Sequence, residues 1–346
     1  MNLIFFIVLV FCFYKIRFYG KSFNKEYLTR TTTNCINGVF VFFVFFRHFA
    51  QYMQAGPYDK IFTYVNGHLR QYIVVTFLFY SGYGIMSSIR KKGRSYINSI
   101  IYPRGVKVWL HFALAVLLFH FANQLRHSQY SLSKLLLSLV GWESIGNSNW
   151  YVFCVLIMYA ATFLAFILTE KCRSKRRELL SVILIVLSCV LYVLILRPFR
   201  GEYWFDTAIA YPLGMLYFLY EDKIRRIVQK NNITYIAACA VMLILFHIAY
   251  RHLAIFVVHE LSVIWFMALI LLFTMKFSIN NKVLTWLGKY TFEIYILQRI
   301  PMMLLRDRFS HVTLYFSVCF VITLVMAVLF RKLTDLIDAR LFARKN

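Results

Sequence analysis

The chain has 346 residues, of which 61% are hydrophobic, 19% aromatic and only 15% charged, and its formal net charge is +25. Soluble domains carry roughly 25% charged residues, so this composition excludes an ordinary soluble domain. Five prolines and thirteen glycines leave no room for a long disordered linker.

Apolar residues come in blocks, and a bilayer core asks for about 20 of them per helix. The blocks predict an all-α, polytopic transmembrane bundle of about eleven helices, at 2–14, 36–53, 71–89, 106–123, 150–168, 179–196, 205–220, 233–249, 254–274, 284–303 and 312–330. The first is short. No basic residue precedes it and no small-residue cleavage site follows, so it reads as an anchor and not a secretory signal. The predicted organisation is an N-terminal anchor with its basic connection at 1–29, a membrane domain at 30–330 and a basic tail at 331–346. No internal repeat is visible.

The positive charge is unevenly placed. Connections 15–35, 90–107, 169–178, 221–232, 275–283 and 331–346 hold 27 of the 39 lysines and arginines, and the alternate connections hold nine. Basic loops stay in the cytoplasm, which predicts an outside N-terminus and a cytoplasmic C-terminus. The charge then serves orientation and contact with lipid headgroups, and nucleic acid is not an expected partner. None of the seven cysteines lies in a connection placed outside, and no pair has metal-ligand spacing. Neither a disulfide framework nor a metal is expected.

The outside connections are short, so any chemistry must lie among the helices. Polar groups at membrane depth are costly and usually face a partner or a cavity. In the second span, INGVFVFFVFFRHFAQYM, residues Asn37, Val41, Val44, His48 and Gln51 share one helical face. An imidazole there suits a general base, or else a histidine bonded across helices with Arg47 reaching outward. The third span carries Tyr80, Ser81, Gly82, Tyr83 and Gly84, small and polar groups that allow close approach of a helix or a ligand. Arg90 and its neighbours follow as an orientation signal or a phosphate contact. Trp142, Trp150 and Tyr151 form an interfacial belt or a platform for a sugar ring. In the tenth span Gly288, Thr291, Tyr295, Gln298 and Arg299 share a face, with Glu293 off it. Asp206, His247, His259 and Glu260 are further polar groups, each readable as structural. An outward-opening polar cavity would gather His48, Trp150, Asp206, Glu260, Gln298 and Arg299.

These stretches, together with LFYSGYGI, GWESIGNSNWYVF, EYWFDTAIAYPLGML and LGKYTFEIYILQRIP, resemble in order those of the acyltransferase family 3 membrane proteins, bacterial enzymes that O-acylate cell-surface glycans. The resemblance covers about residues 30–330. It implies acyl transfer, acetyl being the expected group, from acyl-coenzyme A as donor substrate to a hydroxyl of a cell-surface or exported polysaccharide. No permanently bound cofactor is implied, and the location is the bacterial inner membrane. His48 falls at the family's essential histidine, as base or as acyl carrier. Arg47, Ser81, Trp150, Gln298 and Arg299 become candidates for oxyanion or acceptor contacts, Asn37, Tyr83, Tyr151, Asp206 and Glu293 for support, and Arg90 and Arg104 for coenzyme A. Asn37 stands where the family commonly has a basic residue, and Gln298 in a region where it often has a histidine. The attached extracytoplasmic hydrolase-like domain of some members is not expected here. A polysaccharide or small-solute transporter or flippase is the main rival, and a glycan polymerase a further one.

Overall fold

A computed structural model describes residues 1–342. Its helices are α1 (Asn2–Phe13), α2 (Arg30–Phe49), α3 (Lys60–Leu69), α4 (Tyr72–Lys92), α5 (Arg94–Ser99), α6 (Lys107–Leu125), α7 (Leu132–Leu139) and α8 (Trp150–Leu168). They continue as α9 (Ser174–Leu196), α10 (Ala210–Val228), α11 (Asn232–Tyr250), α12 (Phe256–Lys276), α13 (Lys282–Lys289), α14 (Thr291–Leu297), α15 (Arg299–Leu304) and α16 (Val312–Phe342). Each predicted span lies on one of these helices or, for the tenth, on three.

Among the described residues, seven helices are long and apolar enough to cross a membrane: α4, the continuous run Arg94–Leu125, α8, α9, α11, α12 and α16. The protein is an all-α, multi-pass membrane bundle. α1 is shorter. α2 is diluted by threonine and asparagine, and α10 carries a charged last turn. The tenth span is α13, α14 and α15 in sequence. Pro301 accounts for the second break, because it lacks an N–H and its ring crowds the carbonyl four residues back. The stretch read as a separate tail continues α16 to Phe342, while 343–346 lie outside the described residues.

Close backbone contact fixes two helix pairs. A Cβ on Gly38 of α2 would strike the Leu284 carbonyl of α13, and one on Gly288 would strike that of Asn34. Gly82 of α4 and Gly214 of α10 meet the carbonyls of Tyr211 and Phe79 in the same way. Small residues at such crossings let dispersion contacts replace the hydrophobic drive that lipid does not supply. Behind α2, Phe45, Phe46 and Phe49 pack against Phe316 of α16, with rings 5.0–5.2 Å apart.

The connections sort into two ends. At one end the strand β1 (Ile16–Phe18) pairs antiparallel with β2 (Phe277–Ile279). Lys276 Nζ donates to Gly20 O, Ser22 O and Asn232 Oδ1 at 2.7–2.8 Å. Three basic connections are thereby tied together. At the far end Arg200 donates to Trp142 O at 2.7 Å, and Tyr250 Oη donates to His68 O at 3.0 Å. The Met1 amino group meets Asp59 there at 2.5 Å.

Candidate active site

α2 runs from the basic end to the far end, capped by Thr29, whose side chain accepts from Thr32 N. Its polar stripe does not face lipid. At the far end Val44, Arg47, His48 and Gln51 line a pocket of about 400 Å³. α4 adds Ile73 and Val74, and Tyr295 and Arg299 come from the broken tenth span. The loop before α8 adds Ser144, Asn147, Ser148, Asn149 and Trp150.

His48 is half-buried. Its ring centroid lies 5.9 Å from that of Tyr295, and its Nδ1 is buried without a hydrogen-bond partner among the described residues. The surrounding groups are held firmly. Arg299 donates to Tyr52 Oη at 3.1 Å and Gln51 Oε1 at 2.9 Å, and Arg47 donates to Asn66 O at 3.4 Å. Gln298 is fully buried. Its Nε2 donates to Tyr295 O at 3.3 Å, and its Oε1 has no partner among the described residues.

A second cavity, about 880 Å³, opens among α2, α4, α8 and the tenth span toward the basic end. Asn37, Tyr80, Ser81, Tyr83, Gly84, Tyr151, Tyr159 and Thr291 line it, and Arg30, Lys91, Arg104 and Lys289 bring four cations. None of the four is paired with a carboxylate among the described residues. Between the two voids lies a neck of Val41, Val44, Phe77, Thr291, Ile294, Tyr295 and Gln298, too narrow for a water molecule. Val44 and Tyr295 belong both to the neck and to the far-end pocket; Phe77, Thr291 and Tyr295 belong both to the neck and to the larger cavity. The stripe on α2 therefore lines one path, with Asn37 at one mouth and His48 at the other.

The sequence matches the acyltransferase 3 family, described as an acyltransferase domain, over residues 33–332. The chain belongs to that family. No curated protein and no solved structure matches it. It is a membrane acyltransferase, and the path along α2 lies within the matched region.

The acyltransferase distributes the remaining sequence candidates in three ways. Arg47, Trp150 and Arg299 share the far-end pocket with His48, and Gln298 lies at its neck. Asn37, Ser81, Tyr83, Tyr151 and Arg104 line the larger cavity. There Ser81 Oγ and Tyr159 Oη are 2.9 Å apart, and Tyr83 Oη donates to Glu221 at 2.7 Å. The others lie elsewhere. Arg90 is spent on a two-pronged pair with Glu178, at 3.0 and 2.5 Å, and on the ring of Phe218, away from the cavity lining. Neighbouring Lys91 faces the cavity, since one residue on a helix turns the side chain by about 100°. Glu293 is buried 3.4 Å from Arg331 of α16 and lines no void described above. Asp206 precedes α10 and lines an adjoining pocket with His259. His247 is exposed on α11.

Sequence reasoning passed over Asn147 and Ser148. Their loop is shaped by Gly141 and Gly146, at φ +80° and +113°, and by Asn149 Nδ2 donating to Gly141 O and Glu143 O at 2.9 and 3.0 Å. Asn147 Nδ2 is left buried at the pocket without a partner among the described residues. The quoted GWESIGNSNW stretch held the signal in its clustered Gly, Ser and Asn, which mark a turn that aims polar groups inward.

Proposed function

We propose that this acyltransferase moves a short acyl group, acetyl above all, from acyl-coenzyme A to a hydroxyl of a cell-surface or exported polysaccharide. The observation that carries this reading is the path along α2: a cavity lined by four cations and a hydroxyl- and amide-rich pocket that also holds Arg47 and Arg299 meet at a dry neck beside His48. Arg30, Lys91, Arg104 and Lys289 are of the type that binds phosphate oxygens, and in this reading the end with basic connections faces the cytoplasm from a bacterial inner membrane. The pantetheine arm follows the cavity and presents its thioester at the neck. The neck leaves no room for a long chain, and a two-carbon group asks the least widening of it. Transport is the less favoured reading, because four cations with no carboxylate partner among the described residues at one mouth and a water-tight neck suit a charged donor and a guarded thioester.

The chemistry is a direct transfer. His48 takes the proton from the sugar hydroxyl as its oxygen attacks the thioester carbonyl carbon. The tetrahedral oxyanion finds donors in Arg299, Arg47 or the Gln298 amide. Its collapse forms the ester and breaks the C–S bond, and the thiolate leaves with the proton held by His48. Water would compete as nucleophile, and the closed neck excludes it.

Deletion of the gene followed by analysis of ester-linked acyl groups on surface polysaccharide tests this. The esters should vanish on deletion and return with the wild-type gene, but not with His48→Ala. Full restoration by His48→Ala would remove this histidine from the mechanism. Unchanged ester content after deletion would remove the activity itself.

A further inference from the structure

Beside the His48 pocket lies another of about 470 Å³, lined by Arg47, Arg70, Glu202, Tyr203, Asp206 and His259 among others. The two voids share Arg47, Gln71 and Tyr203. Both have the size of ordinary small-molecule sites.

The second pocket has features that the transfer step does not use. Asp206 is 8% exposed, and its Oδ1 is buried with no hydrogen-bond partner among the described residues. His259, also 8% exposed, stands 3.9 Å from Asp206 through Nε2 and 3.9 Å from Glu260 through Nδ1. Those separations are too long for hydrogen bonds, so the cluster keeps donor and acceptor capacity in hand. Its floor is rigid: Tyr192 Oη donates to Trp204 O at 2.9 Å, and Asp206 N donates to Glu202 O at 2.9 Å. Arg70, between α3 and α4, adopts φ +43°, a region that non-glycine residues avoid. Such strain persists only where surrounding structure holds it, and it gathers at binding sites. Tyr203 is half exposed at the boundary of the two pockets.

We infer that this pocket binds a second, neutral sugar of the acceptor, so that the enzyme reads at least two linked residues and not a lone monosaccharide. The inference rests on the proposed function. Acids (Asp206, Glu202) and cations (Arg47, Arg70) stand together here, a balance that suits neither an anionic nor a cationic ligand. It suits a polyol, whose hydroxyls both donate to carboxylates and accept from guanidinium. Tyr203 supplies a ring for the apolar face of a sugar at the junction.

The test uses the full chain in lipid nanodiscs, labelled acetyl-coenzyme A, and fragments of the host's own surface polysaccharide. The fragments are stripped of esters by mild base and sorted into lengths of one to four sugars. With wild type, KM should fall about tenfold or more from one sugar to two, the worth of a hydrogen bond to a charged group, and then level off. Asp206→Asn should erase that step, leaving KM for one sugar unchanged and kcat within about threefold of wild type. His259→Gln provides the same comparison should Asp206→Asn fail to bind acetyl-coenzyme A. Transfer by wild type with no length step overturns the second subsite alone. So does a loss in the variants that falls equally on one sugar, or on kcat with KM intact. Absence of transfer to any fragment by wild type overturns the proposed function, and this inference with it.

Discussion

Glu293 and Arg331 illustrate how a charged residue at membrane depth can be structural. The Glu293 side chain is 7% exposed and Arg331 36%, with 3.4 Å between them. Arg331 has further partners in Lys289 O at 2.8 Å and the Tyr290 ring at 4.6 Å. The pair therefore ties α16 to the broken tenth span. Its two halves are unequal. Arg331→Ala leaves a buried carboxylate alone and should cost about 1–3 kcal/mol, below the figure for a wholly buried pair because Arg331 is partly solvated. Glu293→Gln keeps the shape and leaves a half-exposed guanidinium, and should cost under about 1 kcal/mol. Thermal unfolding in detergent should show the larger drop for Arg331→Ala. Equal drops would mean that the carboxylate does not depend on Arg331. Sequence marked Glu293 as buried and polar but not its partner, because α14 and α16 meet only after the chain has turned back on itself. His48 and Arg299 were legible for the opposite reason: each lies on a helical face whose polar stripe is periodic. The loop residues Asn147 and Ser148 have no such period, and the cavity cations Lys91 and Lys289 differ from bystanders such as Arg90 only in rotation about their helix.

Among the elements, α2 and α13 form the frame of the site. Their contact is backbone to backbone at Gly38 and Gly288, so the stripe of α2 and the turn at Tyr290 are set by one close crossing. Gly38→Ala places a methyl group against the Leu284 carbonyl, which cannot rotate aside. Overpacking of this kind costs about 1–3 kcal/mol, and more where backbone must move. Gly84→Ala is the control. Its Cβ meets nothing within 4 Å among the described residues, although Gly84 lines the larger cavity. Thermal unfolding should be lowered clearly by Gly38→Ala and hardly at all by Gly84→Ala. A Gly38→Ala protein as stable as wild type would show that the two helices are free to part. The hydrophobic blocks disclosed the helices in order, but such crossings were not legible. In a uniformly apolar segment a glycine against a neighbour's backbone reads like one facing open space, as Gly84 does.

Across the whole molecule, the sorting of connections into a basic end and a far end is what gives the path a direction. The strand pair β1–β2 and Lys276 bind the connection before α2 to those before α11 and α13. The Arg200–Trp142 contact binds two far-end connections to each other. The proposed transfer, with its donor at one mouth and its acceptor at the other, crosses the membrane only if these ends face opposite sides. Basic connections are retained in the cytoplasm, so Lys25 should lie inside and Ser128, in the connection after α6, outside. Both positions are exposed. Of the native thiols, only half-buried Cys172 lies in a connection between helices, and the rest lie within helices. A Cys172→Ser background therefore suits labelling of intact cells with a membrane-impermeant maleimide. Ser128→Cys should label in intact cells, and Lys25→Cys only after the membrane is opened. The reverse pattern would turn the proposed donor cavity outward, away from the cytoplasmic supply of coenzyme A thioesters. The same pattern at both positions would deny that the two mouths are on opposite sides, and with it a transfer that crosses the bilayer at His48.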